Sequence, residues 1–144
     1  MRYASNPWCA RPLLLAALLQ ASIMPAVANP VCPLPAEQPM SIVQLYFGRS
    51  IPGRGPLTDA EWSAFATRVL ARNFPSGFTV SDGDGQWLNP STGVVVHERT
   101  KIVTVAAKGD ATLVKRVSAA SDAYRKQFRQ QSVGMITQSG CAAF

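Results

Sequence analysis

Apolar residues change period along this chain, and that change constrains its fold more than any other feature. Ser41 to Phe47 holds Ile42, Val43, Leu45, Tyr46 and Phe47, all strand formers. Gly48 to Pro56 follows as a loop, broken by Pro52, Gly53, Gly55 and Pro56. The period then becomes helical: Trp62, Phe65, Ala66, Val69 and Leu70 recur at i, i+3, i+4, i+7 and i+8. Thr58 with Glu61 three residues later is a capping box, Leu57 and Trp62 fit a hydrophobic staple, and Pro75 bounds the far end. Phe78 to Leu88 reads as a second strand, kinked or bulged at Gly83 and Gly85. After the turn cluster Asn89 to Gly93, Val94 to Ala107 reads as a third strand. Asp110 caps a second helix whose apolar face is Leu113, Val117, Ala120, Tyr124 and Phe128, and Val133 to Gln138 is a short last strand.

The order β-α-β-β-α-β implies an α+β, ferredoxin-like two-layer sandwich. Right-handed crossovers place its antiparallel strands as 4-1-3-2, with both helices on one face. Residues 41–144 are long enough for this single domain.

What precedes the domain reads as an export leader. Arg2 and Arg11 are followed by the apolar run Leu13 to Leu19 and by Ala26-Val27-Ala28, small at both positions that a signal peptidase reads. The run is far short of the roughly 20 residues that a membrane span needs. Cleavage is expected between Ala28 and Asn29, giving a periplasmic or secreted protein. It removes Cys9, Arg2 and Arg11, and so lowers the formal net charge from +6 to +4. Residues 29–40 carry Pro30, Pro33, Pro35 and Pro39 and read as an extended leader. Cys32 and Cys141 remain, one near each end, and in an oxidising compartment they are expected to pair. The topology puts the start of strand one and the end of strand four at one pole, where the two sulfurs can meet.

At the opposite pole the end of strand one, the end of strand two and the start of strand three converge. The candidate ligand-binding residues are therefore Arg49, Tyr46, Gln86, Trp87, His97 and Glu98. A guanidinium at Arg49 can grip a carboxylate or phosphate in two places, although a structural cross-strand pair with Glu98 is the reading that the residues favour. His97 and Glu98 are neighbours in a strand and point to opposite faces, so they do not address one substrate together. Asp82-Gly83-Asp84-Gly85 begins like a calcium loop, but Gly93 stands where the bidentate Glu of such a loop belongs. Lys115, Lys126 and Arg129 form a basic stripe without interleaved aromatics, which reads as a solvated helix face and not as a nucleic-acid surface. With 3 Cys and 1 His there is no ligand set for a zinc or iron–sulfur centre, and no metal or cofactor is expected.

The string Gln44-Leu45-Tyr46-Phe47-Gly48-Arg49, with Glu61-Trp62, Phe74-Pro75, Gly77-Phe78-Thr79-Val80, Gly85-Gln86-Trp87, Glu98 and Lys101, resembles the exported bacterial family catalogued as domain of unknown function 3574. The resemblance runs from about Gln44 to about Ala107. It implies a small exported or envelope-associated protein and carries over no catalytic residue.

No catalytic constellation is visible. The leading expectation is a small binding or envelope-interaction module, holding a small anionic ligand or an envelope partner. The alternative is a cofactor-free enzyme of the dimeric α/β-barrel kind, which requires one cavity lined by Tyr46, Trp87 and His97. The sheet face without helices carries Tyr46 and is expected to pack against a second copy.

Overall fold

The computed structural model describes residues 31–144. The expected export leader and its cleavage point lie outside the described residues. Within them the order is β1 (Gln38–Gly48), α1 (Asp59–Phe65), β2 (Thr79–Leu88), β3 (Val95–Ala107), α2 (Ala111–Phe128) and β4 (Gly134–Ala142). Helix α1 continues through a π-helical turn, Ala66–Leu70, into a short last turn, Ala71–Asn73. The architecture is α+β: a four-stranded sheet of order β2-β3-β1-β4, every neighbouring pair antiparallel, under two helices. Counted from the β4 edge, the strands run 4-1-3-2.

Alternation decides the two faces. Val43, Leu45 and Phe47 of β1 and Val103 and Val105 of β3 are buried against the helices, while the intervening residues look to the other side. The helices contribute Trp62, Phe65, Leu70, Leu113, Val117, Ala120, Tyr124 and Phe128. An aromatic cluster fills the centre, with Phe47 4.7 Å from Tyr124 and 5.5 Å from Trp62, ring centre to ring centre. Each such side chain contributes about 2–3 kcal/mol by leaving water.

The two helix starts follow from their caps. Thr58 Oγ1 accepts the Glu61 N–H while the Glu61 carboxylate accepts the Thr58 N–H, and Asp110 Oδ1 accepts the N–H groups of Thr112 and Leu113. The π turn accounts for the later part of α1. Phe65 and Leu70, both fully buried, are five residues apart and would lie at the two edges of a regular α-helical stripe; the wider turn brings them closer to one line and aims Leu70 and Phe74 into the core.

Three expectations need correction. Strand β2 carries no bulge at Gly83 or Gly85: its register with β3 is continuous from Thr79↔Thr104 to Leu88↔Val95. Gly83 is needed for another reason, since a Cβ there would lie 3.0 Å from Ile102 Cδ1. The extended leader ends sooner than its prolines suggest, because Gln38, Pro39 and Met40 already pair with β4. The β3 ladder begins only at Ser41, so Pro39, which has no N–H, stands where no donor is required on that side. Strand β4 runs on to Ala142, well past Gln138, for the same reason.

This pairing sets Pro39 directly opposite Cys141, and Cys32 is disulfide-bonded to Cys141 with a Cα–Cα distance of 5.6 Å across a sequence separation of 109. A bridge closing so long a loop restricts the unfolded chain and contributes on the order of 4 kcal/mol. Reduction is expected to lower the unfolding free energy by about that amount in urea titrations, and a Cys141→Ser variant is expected to match the reduced protein. Identical midpoints with and without reductant would count against it.

Candidate functional site

The sheet divides the predicted site in two. Arg49 follows Phe47 in the buried phase of β1 and is itself 6% exposed. Its guanidinium donates from Nε (2.9 Å) and Nη2 to the Leu57 carbonyl and pairs through Nη1 with Asp59 at 3.1 Å. Lys101, directly opposite Phe47, shares that face: its ammonium lies 2.7 Å from Asp82 and 3.5 Å from Asp59. Two buried cations thus tie the start of α1 to the sheet. The cross-strand pair of Arg49 with Glu98 is not formed, because Glu98 has the opposite phase of its strand and looks out on the helix-free face.

Gly48 shows how that face is built. Tyr124 donates its hydroxyl proton to the Gly48 carbonyl at 2.7 Å from the helix side. On the other side the Glu98 carboxylate lies over the Gly48 Cα, where a Cβ would meet Oε1 at 2.6 Å. Glu98 Oε1 accepts the Ser50 N–H at 2.9 Å. Burial first, and then the negative field of Glu98, push the Tyr124 hydroxyl far above the ordinary phenol value, so it is a fixed donor to Gly48.

Around Glu98 is a hollow of about 500 Å³ whose wall includes Tyr46, Gly48, Trp87, Thr100 and Gln130. Trp87 stands opposite Val96 and its side chain is 45% exposed. The rim comes from the turn after α2, which the sequence did not single out. Arg129, expected in a basic helix stripe, instead closes the helix in the left-handed conformation (φ 53°) and donates to the Pro52 carbonyl at 2.8 Å. Gln130 donates to the Ser50 carbonyl.

The remaining predicted residues lie across the sheet. Gln86 and His97 are direct partners on the helix side, both exposed. His97 lines a separate hollow of about 330 Å³ with Arg49, Arg54 and Arg99. Of the six residues, the structure brings Tyr46, Trp87 and Glu98 together, places Arg49 and His97 together elsewhere, and leaves Gln86 outside both hollows. A cavity shared by Tyr46, Trp87 and His97, as the enzyme alternative requires, is therefore not formed.

Comparison with known proteins gives a family for this arrangement. The model of the DUF3574 family, described as a protein of unknown function, matches residues 43–144. The chain belongs to this family. No curated protein matches the sequence. Among solved structures, a phage SAM lyase in complex with S-methyl-5′-thioadenosine is similar over 73% of this chain and 90% of its own, at 14% identity and TM-score 0.54. A phage SAM lyase in the apo state is similar over 85% of this chain and 97% of its own, at 15% identity and TM-score 0.53. At these identities the likeness is one of fold.

The ion pairs predict an acid response. The hydrogen bond from Lys101 holds the Asp82 carboxyl below its ordinary value of 3.8, and the Thr58 N–H holds Glu61 below 4.5. Both groups have folded values beneath their unfolded ones. Their contribution is complete above about pH 4.5 and is lost as pH falls through the lowered values. The thermal midpoint is expected to drop below about pH 4, and an Asp82→Asn variant is expected to lose less of it. Equal acid losses in the two proteins would contradict that assignment.

Proposed function

We propose that this family member is an exported, ferredoxin-like binding module whose ligand sits in the hollow at Glu98. The observation that supports this most is a carboxylate seated on Gly48, held through Oε1 by Ser50, beside a half-exposed indole in a hollow of small-molecule size. One carboxylate oxygen remains to accept protons from ligand hydroxyl or amino groups, and the Trp87 ring offers a stacking surface. The negative charge turns the reading away from an anion at this position. A flat heteroaromatic ring carrying hydroxyl groups fits both features, and the phage SAM lyase complex supplies such a molecule as the first probe.

Titration with S-methyl-5′-thioadenosine and with adenosine is expected to quench tryptophan fluorescence saturably at millimolar concentration or below. Glu98→Gln, followed by the same quench, and Trp87→Ala, followed by calorimetry because it lacks the reporting indole, are each expected to weaken binding about tenfold, roughly one charge-assisted hydrogen bond or one stacked base. Gly48→Ala is expected to resemble Glu98→Gln, because the new methyl displaces the carboxylate. Equal affinity in all four proteins, or no saturable signal with either nucleoside, would overturn the reading.

The same face is also proposed to meet a second copy. Gly83, Gly134 and Gly140 let Ile102, Tyr46 and Ile42 lie close to the sheet, which flattens the surface around Ile136, itself 50% exposed. Light scattering at tens of micromolar is expected to give the dimer mass; a monomer mass would remove this element.

A further inference from the structure

We infer that the hollow on the helix side of the sheet is a second, independent site, and that it takes a phosphate group. Its wall carries three guanidinium side chains and one imidazole, Arg49, Arg54, Arg99 and His97, and no carboxylate. Ile51 and Pro56 complete it with apolar surface, which strengthens the field at its mouth.

The cations are not equivalent. Arg49 is matched by Asp59 at 3.1 Å and by the Leu57 carbonyl, and Arg54 is matched by Glu61 at 2.8 Å. Arg99 makes no side-chain hydrogen bond and no ion pair among the described residues. Its backbone is nevertheless fixed, since its carbonyl accepts the Arg49 N–H at 2.9 Å. Asp84 stands directly opposite Arg99 in the ladder, yet it forms no ion pair with it and does not line the hollow. The hollow therefore holds one guanidinium that has no direct hydrogen-bond or ion-pair partner among the described residues and feels Asp82 only at longer range, on a strand fixed by the ladder, with the His97 ring two positions away along the same strand and on the same face.

A guanidinium presents paired N–H donors that match two oxygens of a phosphate, and a neighbouring imidazole matches a third. The site at Glu98 lies on the other face of the sheet, and the two hollows share Ser50 and Ile51 in their walls. A free phosphate ion and the phosphate of a monoester present the same oxygens to this wall. Comparing inorganic phosphate with glycerol phosphate distinguishes the two sources.

The test is calorimetric titration of the full chain with inorganic phosphate at constant ionic strength, repeated with glycerol phosphate. One saturable site is expected. Arg99→Gln is expected to weaken it about tenfold, the loss of one bidentate charge-assisted contact. Arg99→Lys, which keeps the charge but not the fork, is expected to fall between Arg99→Gln and the parent. His97→Gln is expected to weaken it less than Arg99→Gln. Arg99 is exposed, so the variants are expected to keep the parent's circular dichroism. Absence of saturable binding, or an Arg99→Gln affinity equal to the parent's, would overturn the inference whatever the outcome at Glu98.

Discussion

The missing side chain at Gly48 is the constraint on which the rest depends. The Tyr124 hydroxyl reaches the Gly48 carbonyl from the helix layer, and the Glu98 carboxylate rests on the Gly48 Cα from the open layer. A larger residue would leave the Tyr124 bond in place but would remove the seat of Glu98, because the Cβ position already falls inside the carboxylate's contact radius. Gly48 is also the last residue of β1, so the chain leaves the sheet where both contacts meet. Arg49 then continues the buried phase and Ser50 the open one. A single turn thus sends a cation to one side and offers an N–H to a carboxylate on the other.

That division puts the Arg49 guanidinium on one side of the pole and the Glu98 carboxylate on the other. On the helix side Arg49 and Lys101 are nearly buried, and exposed acids, Asp59 and Asp82, satisfy them from the rim. Buried ion pairs of this kind add little net stability, since desolvation offsets most of the attraction, but removing one partner leaves an expensive unpaired charge. Their clearer effect is geometric. Arg49 fixes the Leu57 carbonyl and Asp59, and so fixes where the capping box begins α1. The loop between β1 and α1, with its Pro and Gly breakers, is held at both ends by one guanidinium.

Much of this was legible in the order of apolar residues. The strand phase of Val43, Leu45 and Phe47, the capping box at Thr58 and the face of α2 from Leu113 to Phe128 all follow from period and cap chemistry. The pairing of Cys32 with Cys141 follows from the topology once the compartment is assumed. The site was half legible. Alternation separates His97 from Glu98, and the same rule applied to Phe47 and Arg49 separates Arg49 from Glu98 as well; proximity at one pole says nothing of which face a side chain takes. The π turn was hidden because Ala66 and Val69 satisfy a helical stripe equally well on paper, and only the burial of Leu70 and Phe74 shows the shift. The rim residues Arg129 and Gln130 carried no signal, because their hydrogen bonds go to backbone carbonyls 77 and 80 positions away.

The two poles of the sheet do different things. The disulfide joins residues at the β4 end of the ladder, beside Pro39, and its effect falls mainly on the unfolded chain. The family match begins at Val43, past Cys32, and includes Gly48, Arg49, Trp87, His97 and Glu98. The contacts that shape both hollows, from Tyr124 to Gly48, Ser50 to Glu98 and Arg49 to Leu57, all lie within that matched stretch and none passes through the cysteines. Breaking the bridge is therefore expected to remove free energy from the whole fold and to leave these contacts in place. Losing the Gly48 seat does the reverse: it rearranges one hollow while the aromatic core of Phe47, Phe65 and Tyr124 stays packed. The bridge and the contacts that shape the hollows are separable in this chain because they sit at opposite ends of the same strand.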